Sequence, residues 1–78
     1  MEAKEMFENL DYFEVARTNK GLWYQNSRNN DFVFFDLEEK EYSSWGCNYY
    51  ADYITRGISI ELHKAITQQL KELGELDE

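Results

Sequence analysis

Apolar and polar positions along this chain change period twice, and each change marks an element. Ala3, Met6, Phe7 and Leu10 fall at i, i+3, i+4 and i+7, which places one apolar stripe along a helix over residues 3–10. Glu2, Glu5 and Glu8 take another face, and acids near a helix start suit its dipole. So short a helix cannot persist alone, so it must dock on a sheet. Over residues 12–18 the period drops to two, with Phe13 and Val15 facing one way and Tyr12, Glu14 and Ala16 the other. Asn19-Lys20-Gly21 signals a tight turn, because Asn and Gly tolerate the positive φ of hairpins. Residues 22–25 read as the return strand, 32–37 as the most apolar strand and 41 to about 45 as a fourth. Polar turns at 27–31 and 38–40 separate them. Three short connections predict an antiparallel meander.

The helical period returns near the C-terminus. Ser59 is an N-cap, Glu61 sits in the first turn and Gly74 is placed as the C′ residue. Leu62, Ala65, Ile66, Gln69, Leu70 and Leu73 form the stripe between them. The pattern predicts an α+β fold, one domain over residues 1–78. It has a short N-terminal helix, a four-stranded antiparallel meander and a C-terminal helix, both helices packed on one sheet face. The opposite face is then expected to be polar or covered. Residues 46–57 either extend the fourth strand or form a loop, and an aromatic-bearing loop in so small a domain points to function.

Composition sharpens this picture. Sixteen acids against eight bases give a formal net charge of −8, which argues against direct nucleic-acid binding, where Lys and Arg neutralise phosphates. Aromatics make up 17% of the chain, which argues for a folded domain, because disordered acidic chains are poor in rings. The longest apolar run, Phe32-Val33-Phe34-Phe35, is far short of the ~20 residues that cross a bilayer. No basic region followed by an apolar run opens the chain, so a cytoplasmic protein is expected. A single cysteine, Cys47, allows no internal disulfide.

Catalytic chemistry finds little support in the residues. The four glycines are isolated, so no phosphate-cradling loop exists. One cysteine and one histidine are too few for a zinc site of the usual kind, and neither a metal nor a cofactor is expected. Cys47 or Ser59 with His63 lacks an orienting third group, and His63 reads as an exposed helical residue. Asp36 is an acid flanked by apolar residues and reads as a solvent-facing strand position.

What remains are surface signals. Glu2, Glu5, Glu8 and Asp11 recur every three residues, roughly 4.5 Å apart along a helix axis, comparable to the ~3.4 Å charge repeat of a nucleic-acid strand. Glu38, Glu39 and Glu41 crowd one turn. These acids either compete for a basic groove on a partner or only keep an aromatic-rich protein soluble. Tyr42, Trp45, Tyr49, Tyr50 and Tyr53 crowd twelve residues. A core filled by Phe7, Phe13, Phe32, Phe34 and the C-terminal leucines and isoleucines leaves them little room, which makes them interface candidates. A homodimer through exposed edge strands is the alternative use of such a surface.

The opening Ala3-Lys4-Glu5-Met6-Phe7-Glu8-Asn9-Leu10-Asp11-Tyr12 resembles the start of small acidic proteins of phages and prophages of Gram-positive bacteria. Those often read Ala-Lys-Glu-Met-Phe-Glu, one variable residue, then Leu-Gly-Tyr. The stretches 36–42 and 65–74 are similar to the same group, so the matching pieces cover roughly half the chain. Asp11 departs from the group's glycine, Glu75 stands where an aromatic is frequent, and residues 43–57 have no counterpart. The resemblance implies a non-enzymatic protein in the cytoplasm of a bacterial host that inhibits a defence or nucleic-acid-handling protein, as anti-CRISPR or DNA-mimic proteins do. Two other readings stay open. One is a small-molecule or nucleotide-signal binder with Arg17, Lys20, Arg28 and Arg56 near the ligand; the other is a homodimeric prophage accessory protein.

Overall fold

The computed structural model describes residues 1–47, 53–55 and 57–75. Helix α1 (Ala3–Glu8) leads into β1 (Tyr12–Arg17), β2 (Gly21–Asn26), β3 (Phe32–Asp36) and β4 (Glu41–Cys47), then β5 (Tyr53–Thr55) and helix α2 (Ile60–Glu72). All strands pair antiparallel with their neighbours in sequence, giving the sheet order β1-β2-β3-β4-β5. The four-stranded meander is as the pattern predicts. The open question over residues 46–57 resolves in part, because β4 runs on to Cys47 and three residues return as a short edge strand.

Both helices lie on one face. Phe7 from α1 and Leu62, Ala65 and Ile66 from α2 pack with Tyr12, Leu22, Tyr24, Val33 and Phe35 from the sheet. Phe7 sits at the centre, stacked on Tyr24 with ring centroids 3.9 Å apart and edge-on to Tyr12 and Phe35. The helices run antiparallel: the Ala3 N–H at the start of α1 donates to Glu72 Oε2 at the end of α2 over 2.7 Å. Gln69, a polar member of the apolar stripe, is 2% exposed because its Oε1 accepts from the Tyr24 hydroxyl at 2.7 Å. A buried amide with a partner is tolerated; one without is costly.

Both ends of α2 follow the sequence. The Ser59 hydroxyl accepts from Leu62 N–H. Gly74, at φ 78°, closes a Schellman pair in which its own N–H donates to Lys71 O and that of Glu75 to Leu70 O.

The core differs from expectation in one respect. Of the four phenylalanines assigned to it, only Phe7 is there, and Phe13, Phe32 and Phe34 project from the opposite face. Each strand alternates, so the face of Tyr12, Leu22, Tyr24, Val33 and Phe35 excludes their neighbours in sequence. With apolar residues on both parities, alternation alone could not choose the side for the helices.

Candidate functional site

The sheet face away from the helices carries three cross-strand rows, spaced by two residues along each strand. One row holds Phe13, Gln25, Phe32 and Trp45, the next Ala16, Trp23, Phe34 and Ser43, and the last Gly21, Asp36 and Glu41. Cross-strand neighbours stack: Trp23 on Phe34 at 4.2 Å between centroids and 25° between planes, and Phe32 on Trp45 at 4.5 Å and 22°. These four rings are half-buried, and Phe13 and Val15 beside them are 44% and 54% exposed. A bulge between Glu14 and Ala16 sets Val15 outside the pairing register, and such bulges twist an edge strand away from further pairing.

Gly21 has a specific job in this face. A Cβ there would fall inside contact distance of Phe34 Cε1 and lie 2.9 Å from Cζ and 3.2 Å from the Phe35 carbonyl oxygen. The Phe34 ring thus lies across the bare backbone of Gly21, a ring-over-glycine arrangement that stiffens sheets. The expected reason for this glycine was a positive φ, and that is corrected. Neither Asn19 nor Gly21 has one. The turn is held by Thr18, whose Oγ1 accepts from the N–H groups of Lys20 and Gly21.

Asp36 Oδ1 accepts from the N–H groups of Glu38 and Glu39 at 3.0 Å each, capping the β3–β4 turn, and Lys40 completes that turn at φ 60°. Asp36 is directly opposite Glu41 in the register. Two carboxylates facing each other across a strand pair repel, and neither has an ion-pair partner among the described residues. The nearby Lys40 Nζ reaches away to Glu75 Oε1 at 2.8 Å.

The sequence-predicted site residues divide. Glu2, Glu5 and Glu8 are exposed on or beside α1, and Glu38, Glu39 and Glu41 are exposed at the β3–β4 end of the sheet. The proposed ladder of acids stops at Glu8. Asp11 lies beyond the helix at φ 67° and pairs with Arg28 Nε at 2.7 Å. Trp45 belongs to the open face, whereas Tyr42 sits on the helix side, 41% exposed and tilted against Phe35. Tyr49 and Tyr50 lie outside the described residues, and of Tyr53 the backbone alone is described, paired opposite Cys47. Sequence reasoning missed Trp23, Phe32, Phe34 and Phe13. A usable signal existed in the second apolar parity of strands β1 to β3, which exceeds what one sheet face can bury.

The described candidate cations for a nucleotide divide between the two ends of β1, with Lys20 in the turn that follows Arg17. Arg17, at one end of β1, pairs with Glu14, and this bond raises its pKa further, while Arg28 sits in the turn at the other end; Arg56 lies outside the described residues. A hollow of about 200 Å³ is lined by Phe35, Leu37, Tyr42 and Leu70 together with Asp36, Lys40, Glu41 and Glu75. No group of three or more His, Cys, Asp or Glu among the described residues could hold a metal ion, and no helix among them is long and apolar enough to cross a membrane.

No family model, curated protein or solved structure matches the chain.

Proposed function

We propose that this chain is a non-enzymatic, phage-type binding protein that inhibits a host defence or nucleic-acid-handling protein by occupying a basic surface on it. One observation carries the reading: the helix-free sheet face presents stacked Trp and Phe pairs beside the opposed carboxylates of Asp36 and Glu41. Tryptophan-centred patches anchor protein interfaces, and this apolar sheet face is one that neither helix covers. The net charge of −8 steers the protein toward cationic partners and away from phosphates. Glu2, Glu5 and Glu8 on the helix side supply long-range field, and Glu38, Glu39 and Glu41 border the sheet face.

The test is a pull-down with the tagged chain from a Gram-positive host lysate at low and high salt, followed by assay of the retained protein. A single basic nucleic-acid enzyme, released by salt and inhibited when the chain is added back, supports the proposal. Glu→Gln changes at 38, 39 and 41 are expected to weaken capture about tenfold, and the set at 2, 5 and 8 less, since the latter lie off the contact face. Unchanged capture in both sets would sink the charge-directed reading.

A further inference from the structure

The sheet face tells more about its occupant than that it is basic. Deepening the function proposed above, we propose that the open face of β1 to β4 docks an arginine-bearing segment of the partner protein. Guanidinium groups would stack on the Trp23–Phe34 and Phe32–Trp45 pairs, and the carboxylates of Asp36 and Glu41 would hold them at the sheet end.

Three features choose this occupant. The first is the pair Asp36–Glu41, opposed in the register and without an ion pair among the described residues; a cation placed there would meet two carboxylates. The second is adjacency. The Gly21–Asp36–Glu41 row is one step from the row of Trp23 and Phe34, about 7 Å at ~3.4 Å per residue. A guanidinium on the nearer rings is therefore within reach of a carboxylate. Arginine suits both contacts, because its planar fork binds carboxylates and stacks on rings while lysine's compact ammonium does neither as well. The third is rigidity: Phe34 is wedged between Trp23 and the bare Gly21 backbone, so little side-chain entropy is lost on binding.

The same features disfavour a second copy of the chain. Four strands at ~4.8 Å spacing and about five residues of length offer roughly 330 Å² of face, less than half of the ~800 Å² per partner of a standard interface. Two copies would also bring net charges of −8 together. A nucleic-acid strand could stack its bases on the rings, yet its phosphates would meet Asp36 and Glu41.

Both tryptophans of the chain, Trp23 and Trp45, lie on this face, so intrinsic fluorescence reports on it selectively. The probe is a short peptide alternating arginine and serine, titrated at low salt into the full-length chain. Matched lysine–serine and oligothymidylate probes and a dilution series of the protein alone complete the set. Expected is saturable change of tryptophan emission with the arginine peptide, at least about threefold tighter than with the lysine peptide. Binding should weaken three- to tenfold in Glu41→Gln, whose fold is checked by its circular-dichroism melt. A response equal for lysine, larger for oligothymidylate, or produced by protein concentration alone would overturn the arginine assignment. So would no response to the arginine peptide. If the pull-down captures and inhibits a basic protein while emission stays fixed on adding that protein, this face is not the docking surface and the wider reading stands. A silent face with no captured inhibitor target ends both.

Discussion

Single residues show where this small domain spends polar groups inside its core. Tyr24 is fully buried, with its hydroxyl donating to Gln69. Loss of hydration on burial pushes its pKa up to about 12, helped by the negative field of Glu14. The phenol is neutral in both states below pH 10. Between about 10 and 12 the unfolded chain ionises first, so stability is full below pH 10 and falls as pH rises through that window. Chemical denaturation at pH 8 and pH 11 should show a loss specific to Tyr24, smaller in Tyr24→Phe than in the parent. At neutral pH, Tyr24→Phe should cost about 1–3 kcal/mol, because Gln69 loses its partner in a buried site. Asn26, 8% exposed, is a second such residue. Its Oδ1 accepts from Arg28 and Asn29 N–H groups, and its Nδ2 donates to the Leu10 carbonyl. Nothing in a turn-prone string of amides distinguishes it beforehand, since its bond to Leu10 spans the gap between α1 and the sheet.

Among the elements, the strands differ in how much of their structure is local. The Ser59 cap and the Gly74 terminator act within a few positions, and both were legible. The left-handed Asp11, at φ 67°, turns α1 into β1 with a backbone that glycine adopts more readily than other residues. Gly21 was legible as a turn glycine but for the wrong reason, because the ring above it comes from β3. Gly21→Ala should destabilise the domain by about 1–3 kcal/mol, since Phe34 must leave its stacked position against a well-packed neighbour. The melting temperature measures the cost, and a shift in tryptophan emission would show that Trp23 lost its stack. A variant with the parent's melt and emission would mean the ring is not seated on that backbone.

At the scale of the whole molecule, charge opposes compaction. With −8 on 78 residues, self-repulsion is screened within ~10 Å at 0.1 M salt. Raising sodium chloride from about 0.02 to 0.5 M should raise the melting temperature by a few degrees, about 1 kcal/mol or less. It should weaken partner capture at the same time. A melt that fell with salt would show that the ion pairs Arg17–Glu14, Arg28–Asp11 and Lys40–Glu75 outweigh the net repulsion. The shape separates two surfaces: α1 and α2 on one side, and the ring-bearing face with its Asp36–Glu41 end on the other.

By itself the sequence determined the order of the two helices and first four strands, their antiparallel meander, both ends of α2 and the acidic balance, but not β5. Each follows from periods of 2 or 3.6 residues, from single capping residues, or from counting charges. The tertiary structure alone decided which strand parity the helices cover. Phe13, Phe32 and Phe34 are as apolar as Tyr12, Val33 and Phe35, and hydrophobicity cannot rank two apolar faces. The choice rests on fit: Phe7 stacks on Tyr24 and Gln69 reaches the Tyr24 hydroxyl on one face, while on the other, among the described residues, the rings pair with one another.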